Sequence, residues 1–158
     1  PEEAITRVTL TFTNESDMDD IVTLDWNDDN GDEVVDINEK VVTGSFSADQ
    51  TYNATLELYN EDEDFLEEDI TSTQAGTDAH FFVYGTDNSD FTMDRAANDF
   101  VRSDNNKLGV YTTWDSGTTT TGSISIALYH ESPTVSDSGG FGTAEGDDTD
   151  IDISFTLN

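Results

Sequence analysis

Apolar and polar residues alternate along most of this chain with a period of two. The stretch AITRVTLTFTN (4–14) places Val8, Leu10 and Phe12 on one side and threonines on the other. Such alternation is typical of a β-strand with one buried face. The same kind of pattern recurs in IVTLDW (21–26), VVTGSFS (41–47), TYNATLELYN (51–60), AHFFVYG (79–85), FTM (91–93), KLGVYTTW (107–114), GSISIALYHE (122–131) and TDIDISFTLN (149–158). The sequence therefore predicts eight strands, or nine if 91–93 is counted.

The segments between these strands are rich in Gly, Asn, Asp and Ser, as expected for turns. Only EEDITSTQA (67–75) is suited to a short helix or turn, and SDSGGFGTAEGDD (136–148) is predicted to be one long flexible loop. Closely spaced strands without intervening helices favour an all-β fold. We expect a single antiparallel β-sandwich of the Ig-like or Greek-key type over residues 1–158, with about eight or nine strands and at most one short helix.

The charge balance adds a strong constraint, because 36 acidic residues face only 5 basic ones and the net charge is −31. A folded chain of this size exposes about 7,800 Å², or roughly 250 Å² for each net negative charge. Such a surface repels itself at low ionic strength and much less near 1 M salt. We therefore expect a salty habitat or bound cations. Nucleic acids and anionic membrane surfaces are not expected as partners, since almost no side chains are available to neutralise phosphates.

The most acidic turn, DWNDDNGDEVVD (25–36), can be aligned with a calcium-binding loop. This alignment places Asp25, Asn27, Asp29 and Asp36 at ligand positions 1, 3, 5 and 12. It departs from the motif at the sharp turn, where Asn30 stands in place of glycine and Gly31 comes one residue later. The alternative is an ordinary hairpin tip in which Asn30 and Gly31 supply the positive φ angles. The sequence establishes no cofactor, and this loop suggests Ca²⁺ as a candidate.

Two histidines form a second candidate site. His80 and His130 lie at the edges of the most apolar strands and share strand parity with large apolar residues, so both are predicted to face inward. If they meet across the sandwich, with help from Asp78 or Glu131, they could bind a transition metal or haem iron. The alternative is a pair of hydrogen-bonded structural histidines.

A third candidate region is the segment 91–107, which contains three of the five basic residues. The predicted partner contacts are Phe91, Arg95, Phe100, Arg102 and an exposed Trp114. The alternative for the basic residues is local pairing with nearby aspartates.

No catalytic motif such as GxSxG, HExxH or a glycine-rich phosphate loop is present, and the chain has no cysteine. We therefore expect a protein that is not an enzyme.

Several stretches resemble a group of small acidic outer-membrane lipoproteins from marine and other Bacteroidota. They are ITRVTLTFTN, TYNATLELYNEDED, EDIT, DAHFFVYG, ALYHESP and TDIDISFTLN, which together span nearly the whole chain. Members of this group often carry the label "type 1 periplasmic binding fold", a two-lobed α/β architecture that the strand pattern contradicts. The resemblance implies a lipidated cysteine and tether upstream of Pro1, anchoring at the cell surface, and association with TonB-dependent uptake systems. His80 and His130 both fall on matched positions, whereas NDDNGD replaces a DGDG-like turn and MDRAANDFVR is longer than in the relatives.

These observations lead to one main functional hypothesis and two alternatives. The main hypothesis is a non-catalytic, lipid-anchored surface domain that binds a ligand or an outer-membrane receptor and is stabilised by salt or Ca²⁺. The first alternative is a subunit of a surface layer or filament that associates with itself through an edge strand. The second is a carbohydrate-active enzyme that uses one of the many carboxylate pairs.

Overall fold

A computed structural model describes residues 4–158, and it confirms the all-β fold with antiparallel sheets. Within this range the strands are β1 (Arg7–Asn14), β2 (Asp17–Asn27), β3 (Lys40–Thr43), β4 (Thr51–Asn60), β5 (Glu63–Asp64), β6 (His80–Asp87), β7 (Thr92–Arg95), β8 (Tyr111–Asp115), β9 (Ser123–His130), β10 (Val135–Ser136), β11 (Thr143–Ala144) and β12 (Thr149–Thr156). Each of the nine longer strands overlaps one of the nine predicted stretches.

Two sheets pack face to face around one apolar core. The large sheet has the order β3-β2-β1-β4-β8-β7, with β5 paired to β4, and the small sheet has the order β12-β9-β6. The alternation seen in the sequence decides which side chains meet between them: Val8, Leu10 and Phe12 of β1 are fully buried, while the threonines between them point outward. Burial of one face of each sheet is the main stabilising contribution.

Aromatic side chains fill the centre of this core. Trp114 is fully buried and contacts the rings of Phe12, Tyr84, Phe91 and Phe141 at centroid distances of 5.4 to 6.2 Å. Buried rings of this size contribute both apolar area and edge-to-face contacts. The core therefore depends on residues from both sheets and from the 136–148 segment.

Three local predictions need correction. The predicted helical segment contains two short helices, a π-helical turn (Leu66–Thr71) and α1 (Gln74–Asp78), rather than at most one. The predicted flexible loop 136–148 contains β11 and the end of β10, which form a small hairpin. In addition, β8 begins at Tyr111 rather than at residue 107, because the backbone N–H groups of Gly109, Val110 and Tyr111 donate to the carboxylate of Asp99 instead of to a neighbouring strand.

No helix within the described residues is both long enough and apolar enough to cross a membrane.

Candidate metal centre

The acidic loop, defined here as residues 28–39, connects β2 to β3. Its first residue is attached to the chain before β1, since the Asp28 amide donates to the carbonyl oxygen of Thr6 at 2.8 Å. Its last residue, Glu39, closes a 3₁₀ turn (Ile37–Glu39) and accepts a hydrogen bond at 3.3 Å from the indole N–H of the buried Trp26. Both ends of the loop are therefore fixed to the body of the sandwich.

Three carboxylates converge inside this loop. One oxygen from each of Asp28, Asp32 and Glu39 lies within 4.8 Å of the other two. Glu39 is only 7% exposed, Asp28 is half-buried and Asp32 is exposed. Like charges about 4 Å apart repel by roughly 1 kcal/mol per pair even in water, and by more near a protein surface. A bound cation would remove this repulsion, and oxygen ligands are those that Ca²⁺ prefers.

Hydrogen bonds from backbone amides to side-chain oxygens hold the loop in a curved conformation. The carboxylate of Asp28 accepts from the N–H groups of Gly31 and Glu33, at 3.1 and 3.0 Å. The side chains of Asn30 and Asp32 each accept from the amide two residues later. Positive φ angles occur at Gly31 and Glu33, at 71° and 60°. An Asn30-Gly31 hairpin turn would require a positive φ at Asn30, so the structure disfavours that alternative.

The spacing of these residues matches the twelve-residue calcium loop when Asp28 is taken as position 1. Asp28, Asn30, Asp32, Asp36 and Glu39 then occupy positions 1, 3, 5, 9 and 12, and the Val34 carbonyl occupies position 7. These are the ligand positions of such loops, and position 12 carries the usual glutamate. The one departure is Glu33 at position 6, where glycine is normal, and the positive φ of Glu33 provides the same sharp turn. Unlike an EF-hand, this loop lies between two strands.

None of the predicted ligands Asp25, Asn27, Asp29 and Asp36 belongs to the group of converging carboxylates. The carboxylate of Asp25 instead contacts the guanidinium of Arg7 at 3.1 Å and the hydroxyl of Thr9 at 2.6 Å. The Asn27 amide donates to Asp29 at the loop surface. Of the predicted ligands, only Asp36 also occupies a ligand position in the structure-based alignment, and it moves from position 12 to position 9. Glu39, three residues beyond Asp36, is the sequence signal that favours the alignment starting at Asp28.

The two histidines are brought together, but within one sheet rather than across the sandwich. His80 on β6 is paired with His130 on β9, and their rings are stacked with centroids 4.9 Å apart and planes 4° from parallel. His80 is buried, and its Nδ1 lies 2.7 Å from the carbonyl oxygen of Gly76. Stacked rings present their faces to each other, whereas a metal binds in the ring plane at nitrogen. Over residues 4–158, neither histidine belongs to a group of three converging ligand atoms.

Much of the predicted partner-contact set lies inside the protein. The prediction that Trp114 is exposed is wrong, because its exposure is 0%, and Phe91 is also buried at 4%. Strand parity carried this information: Leu108, Val110, Thr112 and Trp114 alternate and all four are buried. Phe100 and Arg102 are half-buried, and the ring of Phe100 stacks on that of Tyr111.

Arg95 is a buried structural residue rather than a surface cation. Its guanidinium donates to five backbone carbonyl oxygens, those of Phe82, Lys107, Leu108, Gly140 and Phe141, at 2.6 to 3.0 Å. It also lies over the ring of Phe81, 4.4 Å from the centroid. Burial lowers the pKa of Arg95, but guanidinium remains charged in proteins. The predicted contact surface is therefore largely the site where both sheets and the 136–148 segment are joined.

In comparisons with known proteins, no family model, no curated protein and no solved structure matches this chain.

Proposed function

We propose that this protein is a non-catalytic binding domain that acts outside the cell and is stabilised by Ca²⁺ bound in the acidic loop. The observation that supports the calcium site is the convergence of Asp28, Asp32 and Glu39, at positions 1, 5 and 12 of a calcium-loop pattern. Millimolar calcium outside cells suits a site whose ligands come from a single surface loop. The cation would fix the connection between β2 and the edge strand β3.

The proposed location rests on the resemblance to acidic lipoproteins of Bacteroidota. We place the domain at the outer membrane, attached through a lipid anchor on an upstream segment, as an accessory to a TonB-dependent receptor. Labelling of the full-length precursor with radioactive palmitate, followed by protease treatment of intact cells, tests this placement. An unlabelled precursor, or a labelled one that protease cannot reach, would contradict it.

Contacts at the sheet edges favour this proposal over self-assembly through an edge strand. The ammonium of Lys40 on β3 donates to the carbonyl oxygen of Ser154 on β12 at 2.7 Å. The amide of Asn158 donates to the carbonyl oxygens of Val42 and Gly44. Backbone groups that already have partners are less available to a neighbouring molecule.

The calcium site is tested by thermal unfolding of chelator-treated protein. We expect added CaCl₂ to raise the Tm well beyond an NaCl control of equal ionic strength. Ligand at 100 times its Kd stabilises the native state by about 2.7 kcal/mol, which is roughly 5 to 10 °C for a domain of this size. The substitutions Asp28→Asn and Glu39→Gln should remove the calcium-specific shift.

Asp29→Asn provides the matched control. Asp29 is exposed, lies in the same loop and carries the same charge, but occupies position 2, which is not a ligand position. The control variant should keep the calcium-specific shift. Equal loss of the shift in Asp28→Asn and Asp29→Asn, or no difference between CaCl₂ and NaCl for the unmodified protein, would disprove the site.

A further inference from the structure

Two shallow depressions lie on the outer face of the large sheet and share Thr55 and Tyr111 as lining residues; together they are called the groove here. One is a cavity of about 290 Å³ between β4 and the π-helical turn. The other is a cavity of about 400 Å³ between β4 and the residues that follow β7. Both cavities border Thr55, which is opposite Tyr111 in the pairing of β4 with β8. Both are open to solvent, and the larger of the two is within the size range of ligand-binding clefts.

Tyr111 lines both depressions, and its ring is held in place. The Tyr111 amide donates to Asp99 at 3.1 Å, and its carbonyl oxygen accepts from the Ala96 amide at 2.9 Å. Its ring stacks on Phe100 with the centroids 5.9 Å apart and the planes 22° apart. Tyr111 as a whole is half-buried. A flat aromatic surface fixed in this way binds a ligand with little loss of conformational entropy.

The polar residues of the groove are hydrogen-bonding groups of two kinds. The acidic residues Glu57, Asp64 and Glu67 line the depression between β4 and the π-helical turn, and their carboxylates are hydrogen-bond acceptors. One oxygen of Asp64 already accepts from the Glu67 amide at 3.0 Å. Glu57 is oriented by the hydroxyl of Tyr59, which donates to it at 3.1 Å. The other depression is lined by the exposed side-chain amides of Asn53 and Asn98, which both donate and accept.

This combination of groups selects for a particular chemistry. No basic side chain lines either cavity among the described residues, and the chain has a net charge of −31, so an anionic ligand would be repelled. A ligand rich in hydroxyl groups matches both kinds of polar residue, since hydroxyls donate to the carboxylates and exchange hydrogen bonds with the amides. The apolar C–H face of a sugar ring fits against the ring of Tyr111.

We propose that this groove binds a neutral glycan chain, with one sugar ring stacked on Tyr111 and the neighbouring sugars in the two flanking cavities. The proposal depends on the binding function argued above, for which it names the ligand class. It does not depend on the calcium site, because the groove and the acidic loop have no residue in common.

Isothermal titration calorimetry of the calcium-loaded protein tests this proposal. The probes are cellohexaose, laminarihexaose and mannohexaose, compared with hexagalacturonate as an anionic chain and hexalysine as a cationic one. We expect at least one neutral hexasaccharide to bind and hexagalacturonate not to bind. Tyr111→Ala should weaken binding roughly tenfold or more, whereas Tyr111→Phe keeps the stacking surface and should stay within about threefold.

Two further variants separate a local effect from a general one. Glu57→Ala removes an exposed carboxylate of the groove and should weaken binding several-fold without affecting the core. Tyr129→Ala on β9 removes a half-buried tyrosine of the other sheet and should leave binding unchanged. Circular dichroism confirms that each variant is folded.

Three results would overturn the proposal: no neutral hexasaccharide binds the folded protein, Tyr129→Ala weakens binding as much as Tyr111→Ala, or only hexalysine binds in a manner that depends on Tyr111. If glycan binding fails while CaCl₂ still raises the Tm, only the groove is refuted. If glycan binding succeeds without a calcium-specific shift, only the cation site is refuted.

Discussion

At the scale of single residues, the side chain of Arg95 donates hydrogen bonds to backbone carbonyl oxygens that a neighbouring strand would bind in a regular sheet. All five guanidinium N–H groups are used on backbone carbonyl oxygens from three segments. Two of these oxygens, those of Leu108 and Phe141, also accept hydrogen bonds from the backbone amides of Phe82 and Tyr84. Close by, the hydroxyl of Tyr84 donates to the carbonyl oxygen of Gly109 at 2.6 Å, and burial raises the pKa of Tyr84 far above its usual value.

We predict that Arg95→Lys lowers the free energy of unfolding by about 3 kcal/mol or more, because lysine has three donors without the planar geometry and cannot replace all five hydrogen bonds of the buried guanidinium. Urea unfolding followed by tryptophan fluorescence measures the change. Arg7→Lys is the control, since the side chain of Arg7 is 50% exposed and its ion pair with Asp25 should contribute less than about 1 kcal/mol. Similar small effects in both variants would show that the carbonyl cluster does not depend on Arg95.

At the scale of elements, the short helix α1 is held to the turn that follows Arg102 by a single carboxylate. Asp78 is the last residue of α1. Its carboxylate accepts from the hydroxyl and the backbone amide of Ser103 at 2.6 and 2.7 Å, and from the side-chain amide of Gln74 at 2.9 Å. The hydroxyl of Ser103 makes the largest contribution, and together these bonds hold the pKa of Asp78 below its usual value. A helix of five residues has little stability of its own, so such contacts position it.

This shift predicts the pH dependence of the contact. Because the folded pKa lies below the unfolded one, the contact stabilises the protein above the unfolded pKa of about 3.9 and is lost as pH falls through the folded pKa. Ser103→Ala should raise the pKa of Asp78 toward that ordinary value, as measured by NMR titration of the carboxyl carbon. Ser132→Ala, which removes a hydroxyl bonded only to backbone carbonyls, should not change it. An unchanged pKa in Ser103→Ala would refute the assigned contact.

At the scale of the whole molecule, a net charge of −31 is distributed over 7905 Å² of surface. The described ion pairs are few: Arg7 with Asp25, and Arg102 with Asp104. Repulsion among the remaining carboxylates therefore opposes folding whenever screening is weak.

We predict that the Tm rises continuously as NaCl increases from about 0.01 to 1 M, where the Debye length falls from about 30 to about 3 Å. Differential scanning calorimetry measures the effect. The Asp28→Asn variant should keep this general response while losing the calcium-specific one. Salt screens charges over the whole surface, whereas the proposed calcium binding involves only the acidic loop. A Tm that is independent of NaCl would mean that repulsion does not limit stability.

Features of the fold that depend on neighbouring residues in the sequence were predictable, whereas features that depend on contacts between distant residues were not. Strand positions depend on local alternation, and each of the nine longer strands overlaps a predicted stretch because one face of the strand must be buried, as in Val8, Leu10 and Phe12. The start of β8 was not predicted, because it depends on Asp99, whose carboxylate replaces a neighbouring strand as the partner of three amides. The role of Arg95 was hidden for the same reason, since its five acceptors are up to 46 residues away in sequence.

The acidic loop shows both sides of this divide. The sequence by itself determined an all-β chain, its strand positions, its charge and the turn in which oxygen ligands are concentrated. In a chain with so many acids, however, several alignments of a ligand pattern are available, and the glutamate at position 12 is the local signal that favours the alignment starting at Asp28. Only the tertiary structure decided that Asp28, Asp32 and Glu39 converge, because the attachment of Asp28 to Thr6 and of Glu39 to Trp26 selects which carboxylates face one another.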